Sequence, residues 1–353
     1  MTHYLGIKSL AEDQTCGKVS ASTHQPGDAM QFPRRRFVHL ATAAMAAPAL
    51  PRLGAALDYP IRPVRFIVPL APGGGLDFVA RLTSEYISRA VGQQFYIENK
   101  LGAGGMIGIE TAAKSAPDGY SVLITNDNVA SAPHVLSVNT DFVKDLVPVI
   151  ELSRQTLVLA VHNSFPVKSV AEFVAAAKAR PGMSFATSGV GSNQHILAEW
   201  FAKTAGIKLE HVPYPGAGQA VNDLIAGHVL IGFLGPTALL PHYKTGTLRF
   251  LAQSSRARAL SLPEVPTLEE AGFKDVVLET WYGAFVPAGT PPTVVAYLNG
   301  EMARAMADPA TRDSLLQTAT EPVGGSAEEF GRVVRGDSAK YARLAKELGI
   351  RIN

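Results

Sequence analysis

The stretch Arg65-Phe66-Ile67-Val68-Pro69-Leu70-Ala71-Pro72-Gly73-Gly74-Gly75-Leu76-Asp77 decides the fold. Its first half is a short apolar run, the pattern of a buried strand. Its second half is a glycine turn that opens onto a helix-period segment, Asp77 to Val91. Strand, glycine-rich loop and helix in that order begin a βαβ unit. A second apolar run, Gln94 to Glu98, completes the unit, and the cycle repeats with a helix from Ile107 to Ser115 and a strand from Tyr120 to Thr125. After Pro148 the pattern restarts with a strand from Thr156 to Val161, a helix from Val170 to Ala179, a strand from Met183 to Thr187 and a helix from Asn193 to Thr204. It continues with a strand from Glu210 to Val212, a helix from Gly218 to Ala226, and strands from Val229 to Phe233 and from Leu248 to Ala252. The tract Trp281 to Pro292 then reads as a strand returning to the first half, and helices from Thr293 to Met306, Pro309 to Gln317 and Ala327 to Leu348 close the chain. The expectation is an α/β protein with largely parallel sheets.

Two loops carry the functional reading. In Ala71–Asp77 the glycines let a ligand approach the main chain, and the unpaired N–H groups of the following helix, with its dipole, suit an anion. The alternative is a plain tight turn with Asp77 as N-cap. In Ser188-Gly189-Val190-Gly191-Ser192-Asn193-Gln194-His195, hydroxyl, amide and imidazole groups join small backbone residues, a composition fit to grasp carboxylate oxygens. Capping by Ser192 or Asn193 is the alternative here. Each half of the chain thus offers one donor-rich loop at the C-terminal end of a strand, where open α/β sheets bind ligands, and two such loops would make a clamp.

Composition and motifs narrow the classes. With 353 residues, 47% of them hydrophobic and 18% charged, the chain builds a sizeable core and fits two domains better than one. Its net charge of +2 comes from residues 1–56, which hold six Lys/Arg and three acids, leaving 26 basic and 27 acidic residues beyond them. No basic stripe argues for nucleic acid. Gly73-Gly74-Gly75 lacks the Gly-Lys-Ser/Thr ending of a phosphate loop, Gly102-Ala103-Gly104-Gly105 is not a dinucleotide fingerprint, and no other cofactor motif is read. Ser188 follows Phe185-Ala186-Thr187, so the nucleophile elbow of a serine hydrolase fails at its first glycine. His195 and Glu199 share a helix face but have no third metal ligand nearby, so no metal is expected.

The N-terminal segment reads as an export signal. Arg34-Arg35-Arg36-Phe37-Val38 precedes an uncharged Ala-rich run, Leu40 to Leu50, of about 11 residues, too short to span a bilayer. Small residues at Gly54-Ala55-Ala56 suit signal peptidase, which places the mature start near Leu57. Twin arginines favour the Tat route over Sec. Their distance from Met1 points to Met30 as the start of the signal, with a long polar leader as the alternative. The lone cysteine, Cys16, lies upstream of that point, so no disulfide or Cys nucleophile is expected in the mature protein.

Five ordered segments resemble the Bug family, the TctC-like periplasmic solute-binding proteins of tripartite tricarboxylate transporters. They are Tyr59-Pro60 with Arg62 to Pro69, Ala71 to Gly75 with Asp77, Glu98 to Lys100 with Gly102 to Gly105, Ala116 to Tyr120, and Leu262 to Thr267. The resemblance implies a type II periplasmic-binding-protein fold, two α/β lobes with a ligand cleft between them. Residues 57–157 with 283–353 would form lobe 1, and residues 158–282 lobe 2. It implies a small carboxylate ligand, held by Ala71, Gly74, Gly75 and Asp77 from the first loop and by Ser188, Gly189, Ser192, Asn193 and His195 from the second. Thr125 and Asn126 would line the cleft wall. Trp281 and Tyr282 would either face the ligand or pack in the core. Many relatives carry an Asp within the stretch that here reads Gly232 to Pro236, yet this chain has no acid between Asp223 and Glu264, which favours a plain or aromatic carboxylate over an amino acid. The implied protein is a monomer that delivers its ligand to the transporter's membrane subunits. Presentation to a sensor kinase and a secreted serine hydrolase are the alternatives.

Overall fold

The computed structural model describes residues 58–136 and 142–350. The export signal, with Met30, Arg34 to Arg36 and Cys16, lies outside them. Eleven strands are described: β1 (Val64–Val68), β2 (Phe95–Asn99), β3 (Ser121–Asn126), β4 (Leu146–Thr156), β5 (Val158–His162), β6 (Met183–Thr187), β7 (Leu209–Pro213), β8 (Ile231–Leu234), β9 (Leu248–Gln253), β10 (Glu279–Pro287) and β11 (Thr320–Gly324). They form two sheets, ordered β11-β4-β10-β3-β1-β2 and β7-β6-β8-β5-β9.

Each sheet is parallel on one side only. β2, β1 and β3 run parallel, joined through the helices Gly75–Val91 and Met106–Ala113, whereas β10 is antiparallel to both β3 and β4. In the second sheet β7, β6 and β8 are parallel, and β5 is antiparallel to β8 and β9. The expectation of largely parallel sheets therefore holds for the βαβ halves and fails for the crossing strands, which enter each sheet from the other lobe and so arrive reversed. β4 runs out of the first sheet to Thr156, and after Leu157 the chain continues as β5 of the second. The return strand hydrogen-bonds in the first sheet from Glu279 onward, so residues 279–282 pair there.

β4 is not legible in the sequence because Pro148, Glu151 and Arg154 interrupt its apolar pattern. The structure accommodates Pro148 where the β4–β10 register shifts, an irregularity that excuses the missing N–H. Glu151, buried, is gripped by Arg154 at 2.8 and 3.0 Å. Trp281 is core: its ring is buried, meets Phe330 edge-on at 5.0 Å between centroids, and donates through Nε1 to Asp337 at 2.8 Å. The C-terminal helix Ala327–Leu348, started by a Ser326/Glu329 capping box, buries Phe330, Val334, Tyr341 and Leu344 in the core, packs on β4 and reaches the second-lobe helix Asn193–Ala205.

Candidate functional site

The Ala71–Asp77 loop leaves β1 and turns into the helix Gly75–Val91. No side chain caps this helix; Gly74 is its N-cap, and the N–H groups of Gly75, Leu76 and Asp77 precede the first intrahelical bond, donated by Phe78 to Gly74. Asp77 is therefore not the cap. Its carboxylate is buried and accepts Arg81 Nε at 2.8 Å and Nη2 at 3.0 Å, Asn99 Nδ2 at 3.2 Å, and the Gly73 N–H at 3.2 Å. Burial pushes this carboxyl up, and the bonds from Arg81, Asn99 and Gly73 outweigh it and hold it below its ordinary value. The acid thus shapes the loop from behind and neutralises Arg81, leaving the helix start to main-chain donors.

The second loop leaves β6 and enters the helix Asn193–Ala205. Ser192 is its N-cap, accepting from the His195 N–H at 3.2 Å and donating to Gly189 O at 2.7 Å. Gly191 adopts a left-handed φ of 74°, which folds the loop back so that its N–H reaches His195 Nδ1 at 3.3 Å. The His195 ring stacks on His211 with centroids 3.9 Å apart and planes 11° from parallel. Burial drives His195 down to about 4, and burial with the neighbouring His195 drives His211 down to about 3. Both rings are neutral near pH 7, so the 3.9 Å approach of His195 to Glu199 is not an ion pair, and His195 brings no positive charge to the loop. Ser188 donates its N–H to Gln194 Oε1 at 2.8 Å, while its hydroxyl is buried without a partner and engages no histidine. Among the described residues no group of three or more His, Cys, Asp or Glu is placed to hold a metal ion.

The loops meet the opposite lobes through glycines. A Cβ on Gly216 would stand 2.9 Å from Ala71 Cβ, and one on Gly218 would stand 2.8 Å from Pro72 O, so the first loop lies against the start of the helix Ala217–Ile225. On the second loop, Gly191 O accepts from Ser131 Oγ at 2.8 Å, and a Cβ on Gly104 would come within 3.1 Å of Val190 O. Gly75 abuts the buried Tyr282, whose hydroxyl bonds Gln155; Gln155 in turn accepts Thr237 of the second lobe at 2.9 Å.

Thr125 and Asn126 end β3 fully buried, paired with Gly283 and Tyr282. The next residue, missed in the sequence, ties the lobes together. Asp127 is buried and accepts Thr280 Oγ1 at 2.7 Å, Asn193 Nδ2 at 2.9 Å and Tyr341 Oη. Burial pushes its carboxyl up to about 7 against the pull of those donors. Only its position beside Asn126 hinted at a role. Gln155, Thr237 and the Tyr214–Gly218 segment gave no sequence signal, because their partners lie in the other lobe.

The chain is similar to known proteins over most of its length. Residues 79–350 match the family described as "Tripartite tricarboxylate transporter family receptor". Protein BugT of Bordetella pertussis is 33% identical over 319 residues, covering 89% of this chain and 96% of its own. The periplasmic binding protein BugD superposes with a TM-score of 0.80 at 29% identity, covering 83% of this chain and 99% of its own. An R. palustris protein solved with adipate gives 0.81 at 32% identity, covering 83% and 99%. MatC from Rhodopseudomonas palustris, with bound malate, gives 0.77 at 27% identity, covering 81% and 99%.

Proposed function

The chain belongs to the tripartite tricarboxylate transporter receptor family, Bug-like periplasmic solute-binding proteins of two α/β lobes, and from that premise we propose that it captures a small carboxylate between its lobes. The observation that carries the ligand class is the paired helix starts. One comes from each lobe, each at the end of a parallel strand, and the one at Gly75 has no side-chain cap. Neither loop contains a Lys or Arg, and Arg81 behind the first is already neutralised by Asp77. Main-chain N–H groups and hydroxyls suit a carboxylate group, whose charge the helix dipoles stabilise. Relatives solved with adipate and malate support the same class.

In this reading Ala71, Gly74, Gly75, Ser188, Gly189, Ser192 and Asn193 surround the ligand, while Asp77 and His195 shape the two loops. Thr125 and Asn126 back the cleft. The lobes hinge where the chain crosses, at Leu157 and just before Glu279. The protein acts as an exported monomer, sent out by the Tat route, and delivers its ligand to the membrane subunits of a tripartite transporter. No bond is made or broken in this cycle.

A thermal-shift panel of dicarboxylates, tricarboxylates and aromatic carboxylates tests the ligand class. A ligand at about 100 times its Kd stabilises the fold by about 2.7 kcal/mol, which raises the melting temperature by several degrees. A flat response to every carboxylate refutes the reading. Uptake of the bound carboxylate in cells carrying the membrane subunits, with and without this protein, tests delivery.

A further inference from the structure

We propose that Asp127 fixes the polarity of one wall of the cleft by holding the amide of Asn193, and that the natural ligand carries a hydroxyl or similar hydrogen-bond donor beside its carboxylate. This rests on the carboxylate reading above and narrows it. Both oxygens of Asp127 face donors: Oδ1 accepts from the Thr280 hydroxyl and from the Asn193 amide, whose nitrogen is 2.9 Å away, and Oδ2 accepts from the Tyr341 hydroxyl. Asn193 is the one partner supplied by the second lobe. With its NH2 end turned to Asp127, it must direct its carbonyl oxygen elsewhere, and that Oδ1 is buried with no partner among the described residues. Asn128 Oδ1, on the residue after Asp127, is in the same condition, and so is Ser188 Oγ in the loop that carries Asn193.

These three orphaned atoms stand on both sides of the lobe junction, at the two segments that Asp127 and Asn193 join. Two of the three are pure acceptors. A carboxylate oxygen facing them would set acceptor against acceptor, whereas Ser188 can donate to it. A ligand that is carboxylate alone therefore leaves the amide oxygens unmet, each at the cost of a buried unsatisfied group. A ligand hydroxyl donates to such an oxygen, so a hydroxylated carboxylate leaves fewer acceptors unmet. Asp127 is a positioning residue in this scheme, because it acts on the ligand through Asn193.

The test compares the best-bound carboxylate with its singly hydroxylated analogues by calorimetry; for a four-carbon diacid these are succinate and the two enantiomers of malate. At least one hydroxylated analogue is expected to bind about tenfold more tightly or better. Asn193→Leu should bring that ratio closer to one, since it removes the acceptor that Asp127 positions and leaves only Asn128 Oδ1. Asp127→Leu should do the same without touching Asn193, because the amide is then free to turn its NH2 end inward. Melting curves check that each variant folds; should Asp127→Leu not fold, Asn193→Leu and the wild-type ratio decide. Equal or weaker binding of every hydroxylated analogue overturns the inference, as does a folded Asp127→Leu that keeps the full preference. In those outcomes carboxylates still bind; if none binds, the carboxylate reading itself has failed and this inference falls with it.

Discussion

Gly75→Ala is the sharpest test of how the two lobes meet. Gly75 is the first residue of its helix, so Ala there should help: it loses less conformational entropy on folding and is worth up to about 1 kcal/mol in a helix. The surroundings reverse the sign. A Cβ at this position would lie inside contact distance of Tyr282 Oη and 3.1 Å from both Gln155 Nε2 and Thr237 Oγ1. Tyr282 cannot withdraw, being buried in the middle of β10 between β3 and β4. Overpacking of this kind costs about 1–3 kcal/mol and outweighs the helix gain, so a net loss of about 1 kcal/mol is expected, measured by urea unfolding. Tyr282→Phe alone also destabilises, by about 1–3 kcal/mol, because Gln155 Nε2 loses its partner. It removes the clashing atom, however, so the two changes together should cost at least about 1 kcal/mol less than their sum. A Gly75→Ala protein as stable as wild type, or strict additivity in the double variant, refutes this packing.

Other outcomes follow from the same contacts. Asp77→Ala frees Gly73 and Asn99 and should destabilise by about 1–3 kcal/mol while weakening ligand binding, seen by calorimetry. Because the Asp77 carboxyl is held below its ordinary value of 3.8, its stabilisation is present above that pH and disappears as the pH falls through the folded value. His195 and His211 stay neutral in the fold down to about 4 and 3, whereas the unfolded chain takes up protons at 6.5, so they favour unfolding as the pH drops from 6.5 towards 4. Asp127 works the other way, binding a proton in the fold at about 7 and in the unfolded chain only near 3.8. The net from these three groups is one proton, a loss of about 1.4 kcal/mol per pH unit over that window. His211→Phe should flatten the melting-temperature profile there, and an unchanged profile would contradict the assignment. Trp281→Phe should lower stability by about 1–3 kcal/mol through the lost bond to Asp337, with ligand affinity within about twofold of wild type.

The α/β class, the order of the βαβ steps and the two glycine-bearing loops between strand and helix were legible because each is written in local sequence. An apolar run, a glycine turn and a helix-period segment need only a dozen consecutive residues to declare themselves. The helix Ala327–Leu348 could be delimited to the residue for the same reason, between a Ser326 cap and Gly349. β4 and β11 escaped, since Pro148 in one and Pro322 with Gly324 in the other break the apolar pattern, and pairing to neighbours far along the chain makes them strands all the same. Asp77 was legible as important but its role was not. Whether a carboxylate beside a glycine turn caps the helix, faces a ligand or braces the loop depends on Arg81 and Asn99, which the fold brings to it.

Local sequence by itself determined where the donor groups would gather, at the starts of two helices following two strands. Tertiary structure alone decided which way they point. Asn193 turns its NH2 end to Asp127, 66 residues earlier, which leaves its carbonyl oxygen buried and unpartnered, and Tyr341, 214 residues after Asp127, helps hold that acid in place. The physical reason is that hydrogen-bond polarity at a buried site is set by the partner across it, and such partners are chosen by how the lobes fold together.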